Sequence, residues 1–213
     1  HKIENQKNLL LTTAGDIKKY RGQIDPNPQS LSSIYGKIIS INLKNNKYEF
    51  FSIGHRNILG LYTEGDLILS TENGPKGGDE INKIEKGKNY GWNVASYGET
   101  YSKLADETKS DYFKSHKKYG FKEPIFSFIP SIGISEIIRL GNNFSTHWQN
   151  NFLIASLNSR HIYRVLFNES FEKVIYIEDI FIGERIRDLL YLEKNRMILL
   201  AMEETGSLLI LGN

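Results

Sequence analysis

Short apolar runs recur about every ten residues along this chain, and each is closed by Gly, Asn, Asp or Lys. They read "NLLLTTAG", "GKIISINL", "YEFFSIG", "NILGLY", "GDLILSTENG", "SEIIRLG", "NNFLIASLN", "HIYRVLF", "KVIYIEDIFI", "IRDLLYL", "RMILLAM" and "GSLLILG". No segment carries a sustained helical period bounded by caps, so the pattern predicts an all-β protein. Sandwich, barrel and propeller all satisfy it. Two features favour a β-propeller. One is the rhythm of strand, tight turn, strand and longer loop, as in "ILGLYTEGDLILSTENG" and "IRDLLYLEKNRMILLAMEETGSLLILG". The other is length: a blade takes roughly 40 to 50 residues, so 213 residues supply about four.

Composition excludes several classes of function. Hydrophobic residues make up 39% of the chain, charged residues 24%, and the net charge is +2, too small to predict nucleic-acid or membrane binding. There is no cysteine, which removes disulfides, thiolate catalysis and cysteine-ligated zinc or iron–sulfur centres. No apolar run approaches the roughly 18 residues that span a bilayer. The chain begins "HKIENQKN", without Met and without a basic-then-apolar leader, which is the expectation for a processed, trimmed or incomplete product. HExxH, GxSxG and Walker motifs are absent, and none of His1, His55, His116, His147 and His161 has a metal-ligand partner at short spacing. The polar stretch from Glu99 to Pro124 reads as a solvated insertion, with no role for its His116.

Three segments carry candidate chemistry. "TENGPKGGDEINKIEKGKNYGWNVASYG", Thr71 to Gly98, combines glycines with Asp79 and Glu80. Gly74-Pro75 and Gly77-Gly78 can expose backbone carbonyls to a hard cation, Glu80 can add a carboxylate, and the return through "NYGW" can add the carbonyl of Tyr90. A long turn whose acids face water is the alternative. "GHRNILGL" offers the Arg56 fork and the Asn57 amide to a polyanionic ligand, or is a surface turn. "ERIRDLL" places Arg185 and Arg187 on one face of a strand, where an anion, or Glu184 and Asp188, would answer them.

Taken in order, "GHRN…GL", "GPKGGDEIN", "GKNYGW", "SYGETY", "PSI", "NNFLIASL" and "RIRDLL" resemble the soluble aldose sugar dehydrogenases, the glucose/sorbosone dehydrogenase-like quinoproteins. "GPKGGDEIN" followed by "NYGW" is the specific part, and the likeness spans nearly the whole chain. It implies a six-bladed β-propeller using pyrroloquinoline quinone (PQQ) and calcium to oxidise a sugar at C1 by hydride transfer. Arg56 and Asn57 would then contact the quinone's carboxylates, with Arg185 and Arg187 on its other side. The carbonyls of Gly74 and Pro75 would reach the calcium that polarises the quinone, and Glu80 with the backbone of Tyr90 would hold a second, structural calcium. Asp16, in "TAGD", would line the sugar side. The resemblance further implies a small-molecule sugar as partner, no nucleic acid or membrane, and a periplasmic or secreted location.

The chain also departs from the family pattern. The "H-x-G-G" stretch that carries the family's base is absent before "GD", so the base is not assigned to His1 and is expected upstream. Asn158 stands where a lysine is expected, Ile129 where an aromatic is expected, and Ile58-Leu59 follow "GHRN" in place of Pro-Gln. About four blades cannot close a six-bladed ring, so N-terminal blades outside this chain, or self-association, would cover its strand edges. A non-catalytic propeller that keeps calcium as a brace is the competing reading.

Overall fold

The computed structural model describes residues 2–3, 9–16, 28–99 and 112–212. Its strands form antiparallel meanders, as expected where runs of alternating or continuous burial are separated by tight turns. The chain divides into two compact units, His1–Ser131 and Ile132–Asn213. The first unit holds two four-stranded sheets. One is β1 (Lys2–Ile3), β2 (Leu9–Ala14), β3 (Lys37–Asn42) and β4 (Tyr48–Ile53); the other is β5 (Ile58–Glu64), β6 (Leu67–Glu72), β7 (Asp79–Lys83) and β8 (Phe126–Phe128). The second unit holds β9 (Ile134–Arg139), β10 (Phe152–Ser156), β11 (His161–Phe167) and β12 (Val174–Phe181) in one sheet. A three-stranded sheet follows, of β13 (Ile186–Leu192), β14 (Met197–Met202) and β15 (Leu208–Gly212).

Every predicted run is a strand. Three strands had no counterpart among them: β1, β7 and β8. β7 reads "DEINK", which looks like loop, yet Asp79, Glu80, Ile81 and Asn82 are all buried. Its neighbour β6 is buried from Ile68 to Glu72, polar residues included. A sheet interior lined with Ser70, Thr71, Glu72, Glu80 and Asn82 is costly unless those groups are paired or hold a ligand.

The stretch from Glu99 to Pro124 is only partly a solvated insertion. Its residues 100–111 lie outside the described ones, but 112–124 fold back on the unit. His116 is 1% exposed. A single 3₁₀ turn, Lys117–Tyr119, follows it, and Lys122 N–H bonds the Asn89 carbonyl at 2.8 Å.

Fully buried Lys37 organises the approach to the site. Its Nζ donates to the carbonyls of Pro28 at 3.0 Å and Tyr35 at 2.7 Å, closing the segment between them. That segment in turn accepts the backbone N–H groups of Gly54 (from Pro28 O, 2.9 Å) and His55 (from Gly36 O, 3.1 Å). The core of this unit packs Leu11, Ile38, Ile58, Leu61, Ile68 and Ile84 with Tyr90.

In the second unit Leu140, Leu153, Ile162, Ile186, Ile198 and Leu200 form the core. Among the described residues β15 is an edge strand of its sheet, and its Leu208 is 69% exposed. Leu200→Ala is expected to cost about 2–5 kcal/mol, whereas Leu208→Ser should change stability by no more than about 0.5 kcal/mol; urea unfolding of the two variants measures both.

Candidate functional site

Two glutamates face each other across the β6–β7 pair. Glu72 and Glu80 are register partners, so their side chains leave the same face with Cβ atoms about 4.5–5.5 Å apart. Glu72 is 4% exposed and Glu80 7%. On the far side of β7, Ser127 is the register partner of Glu80, and its buried Oγ meets no partner among the described residues. Like charges at directly opposed positions repel, and burial removes the water that would screen them.

The two acids are treated differently by their surroundings. Glu72 is well supplied: Oε1 accepts the Arg56 backbone N–H, and Oε2 lies 3.0 Å from His55 Nδ1. The His55 Nε2 is in turn 2.8 Å from Ser52 Oγ, and the imidazole stacks on Tyr90 with ring centroids 4.6 Å apart. Glu80 has a 3.2 Å bond from Asn82 Nδ2, and its Oε1 lies 3.5 Å from His116 Nε2. Burial first, and then the charge of Glu72, hold the Glu80 carboxyl well above its ordinary 4.5, against the lowering effect of Asn82. Burial also pushes His116 below 6.5, opposed by Glu123 and Glu72.

Beside these groups lies a cavity of about 10 Å³, room for one water or one bare ion. Gly74, Pro75, Glu80 and Tyr90 all line it, as do Arg56, Glu72, Trp92 and His116. The residues expected to serve two calcium ions thus face a single space. Trp92 Nε1 and His116 Nδ1 are buried and meet no partner among the described residues. Two buried glutamates line this space, yet among the described residues no group of three or more His, Asp or Glu side chains is arranged to hold a metal ion.

The loop between β6 and β7 is shaped by close backbone approach. A Cβ on Gly74 would collide with the backbone of Gly77 and Gly78, and Gly78 (φ +70°) itself abuts Gly98. Lys76 and Glu99 exchange backbone bonds of 3.1 and 2.7 Å across it. The Asp79 carboxylate accepts the Gly74 N–H at 2.9 Å. Of the two acids first considered for a cation, Asp79 is therefore committed to the loop, and Glu80 faces the cavity.

Arg56 is buried, which corrects the surface-turn alternative for "GHRN". Its Nη1 donates to the Asn73 carbonyl and, at 3.2 Å, to Asn73 Oδ1, and its guanidinium sits 5.4 Å from the Trp92 ring centre. Asn57 follows it, and Asp16 N–H bonds the Arg56 carbonyl at 2.7 Å, so Asp16, Arg56 and Asn57 are neighbours. In the second unit Arg185 and Arg187 are answered by Glu203, not by Glu184 or Asp188: Arg185 Nε is 3.3 Å from it and Arg187 Nη2 bonds its other oxygen. Glu184 instead accepts the Thr205 N–H at 2.6 Å. Asn158 Oδ1 is 3.4 Å from Arg185 Nη1, and Ile129, in the first unit, is 66% exposed.

The chain matches the glucose/sorbosone dehydrogenase family over residues 2–210. It belongs to that family. It is 28% identical to the aldose sugar dehydrogenase YliI of Escherichia coli (strain K12) over 201 residues, 86% of this chain and 53% of that protein. A glucose dehydrogenase crystal structure superposes with a TM-score of 0.82 at 26% identity, covering 98% of this chain and 62% of the other. The PQQ-bound aldose sugar dehydrogenase of Streptomyces coelicolor has the same fold, with a TM-score of 0.66 at 19% identity over 95% of this chain and 57% of that one. The family member described here is thus an all-β β-propeller chain whose four sheets are consistent with a partial propeller. It spans about half the length of the relatives it matches.

Sequence reasoning missed Glu72, His55, Trp92 and His116 as members of this cluster. Glu72 could have been found by pairing "LILSTE" with "DEINK" as a hairpin; nothing in the pattern around His116 marks it. A carboxyl whose folded value is raised binds its proton more tightly when folded. Its contribution to stability is complete below 4.5 and is lost as pH rises through the folded value. In chelator, the wild type should therefore lose more stability than Glu80→Gln as pH rises above 4.5, read from thermal melts of both proteins.

Proposed function

We propose that this chain carries part of a calcium- and PQQ-dependent sugar dehydrogenase that oxidises an aldose at C1. The observation that carries the proposal is the buried Glu72–Glu80 pair beside an ion-sized cavity, with Arg56, Asn57, Gly74 and Pro75 around it, in a chain of this family. A cation there would be held by the Glu80 carboxylate and the carbonyl of Tyr90, and Gly74 and Pro75, which line the same space, would offer carbonyls to the calcium that polarises the quinone. Arg56 is fixed by Asn73 and by the Glu72 bond to its backbone, which presents its remaining N–H groups without entropic cost on binding. Arg56 and Asn57 suit the carboxylates of the quinone, and Asp16 beside them borders the sugar. Bound there, the quinone would supply a hydride acceptor for sugar C1 and the metal a Lewis acid. No base is assigned among the described residues. No helix among the described residues is long and apolar enough to cross a membrane; a periplasmic or secreted location goes with this reading.

One observation favours the non-catalytic, calcium-braced alternative: Glu203 already answers both Arg185 and Arg187. Titration of chelator-stripped protein with calcium and then PQQ, by calorimetry and visible absorbance, separates the two. Quinone binding that requires calcium and weakens about tenfold or more in Arg56→Lys, where the bidentate fork is lost, supports the dehydrogenase. Calcium binding without quinone binding supports the brace, and the absence of both overturns the metal site itself.

A further inference from the structure

We propose that Asp79 and Asn73 are positioning residues for Arg56: together they aim its guanidinium at a ligand carboxylate without neutralising it. The inference rests on the reading that Arg56 meets the carboxylates of the quinone.

A guanidinium as deeply buried as that of Arg56 is unfavourable unless an anion answers it. Arg185 and Arg187 are answered in that way, by Glu203. Arg56 is held differently. Among the described residues its Nη1 donates to the Asn73 carbonyl and, at 3.2 Å, to Asn73 Oδ1, and its guanidinium faces the Trp92 ring, but it meets no carboxylate. Uncharged oxygens fix the direction of the fork and leave its positive charge for a ligand.

The Asn73–Gly74 peptide carries this hold. It is trans, so its carbonyl and its N–H point opposite ways. The carbonyl accepts Arg56 Nη1, and the N–H donates to Asp79 Oδ1 at 2.9 Å. A carboxylate on the N–H side polarises the peptide and makes its carbonyl a stronger acceptor. The Asp79 charge thus reaches Arg56 from one peptide away, with no ion pair to cancel it. Asp79 is fully buried at the start of β7, and the bond from the Gly78 N–H to the Phe128 carbonyl, at 2.9 Å, fixes the backbone before it. Asn73 ties in the second residue of the fork as well, since its own N–H bonds the Asn57 carbonyl at 2.9 Å.

PQQ binding to the 213-residue chain in calcium, followed by calorimetry and visible absorbance, is measured for the wild type, Asp79→Asn, Arg56→Lys and the double variant. Asp79→Asn keeps the side-chain shape and an oxygen for the Gly74 N–H but removes the charge. It should weaken PQQ binding about three- to tenfold. In the Arg56→Lys background the same change should cost less than about twofold, because the fork it acts on is gone. Equal losses in the two backgrounds, or no loss in either, would confine Asp79 to shaping the loop and overturn the inference while leaving the quinone reading in place. Asn73→Asp is the second test, and the deciding one should Asp79→Asn fail to fold. A carboxylate set on Nη1 should hold Arg56 at least as firmly, keep or raise the melting temperature, and weaken PQQ binding by more than about tenfold. Unchanged PQQ binding in Asn73→Asp, or a loss that comes with a lower melting temperature, overturns the positioning role. A wild type that binds no PQQ overturns the quinone reading and this inference with it.

Discussion

The repulsion between Glu72 and Glu80, set directly opposite each other in a buried part of the β6–β7 pair, is the constraint that the first unit is built around. A sheet interior does not tolerate two facing carboxylates unless their charge is cancelled. One of them is hydrogen-bonded by the protein itself: His55 and the Arg56 backbone N–H serve Glu72. The other has only an amide bond from Asn82 and a distant imidazole. That asymmetry leaves Glu80 with a proton to hold or a cation to bind.

Much of the surrounding structure follows from positioning this pair. Lys37 closes the segment that pins Gly54 and His55, and so holds His55 against Glu72. The glycines at 74, 78 and 98 let the β6–β7 loop fold tightly on itself, which brings Gly74 and Pro75 to the same space as Glu80. Asp79 spends its carboxylate on that loop. On the proposed reading, then, loop and acid converge on a single ion, and the adjoining Arg56 is ordered by the same network before any ligand arrives.

The strands were legible because burial of alternate or continuous apolar residues repeats with a regular spacing; the strand class followed from that, and the approximate number of sheets from the length of the chain. β7 was not legible, because a strand whose side chains are Asp, Glu and Asn looks like a loop until its partner β6 is known. For the same reason the glutamate pair was half seen: Glu80 stood out beside the glycines, but Glu72 lay inside an apolar run. Arg56 was read as a fork for an anion, and its burial under Trp92 could not be inferred from local spacing. His116 was set aside because a lysine-rich polar stretch normally faces water. It is buried by long-range packing against residues 89–97, a tertiary fact with no local signature. The Arg185–Arg187 pair was read as answered by an anion, or by Glu184 and Asp188; the acid that meets both is Glu203, from a neighbouring turn and not from the same strand.

The most direct test of the central claim, that the protonated Glu80 carboxyl gives way to a cation, is the count of protons released when calcium binds. It is obtained by calorimetry in buffers of different ionisation enthalpy. At a pH between the unfolded and folded values of Glu80, about one proton should leave for each ion bound, and none in Glu80→Gln. Calcium binding with no proton release, or unchanged release in Glu80→Gln, would contradict it.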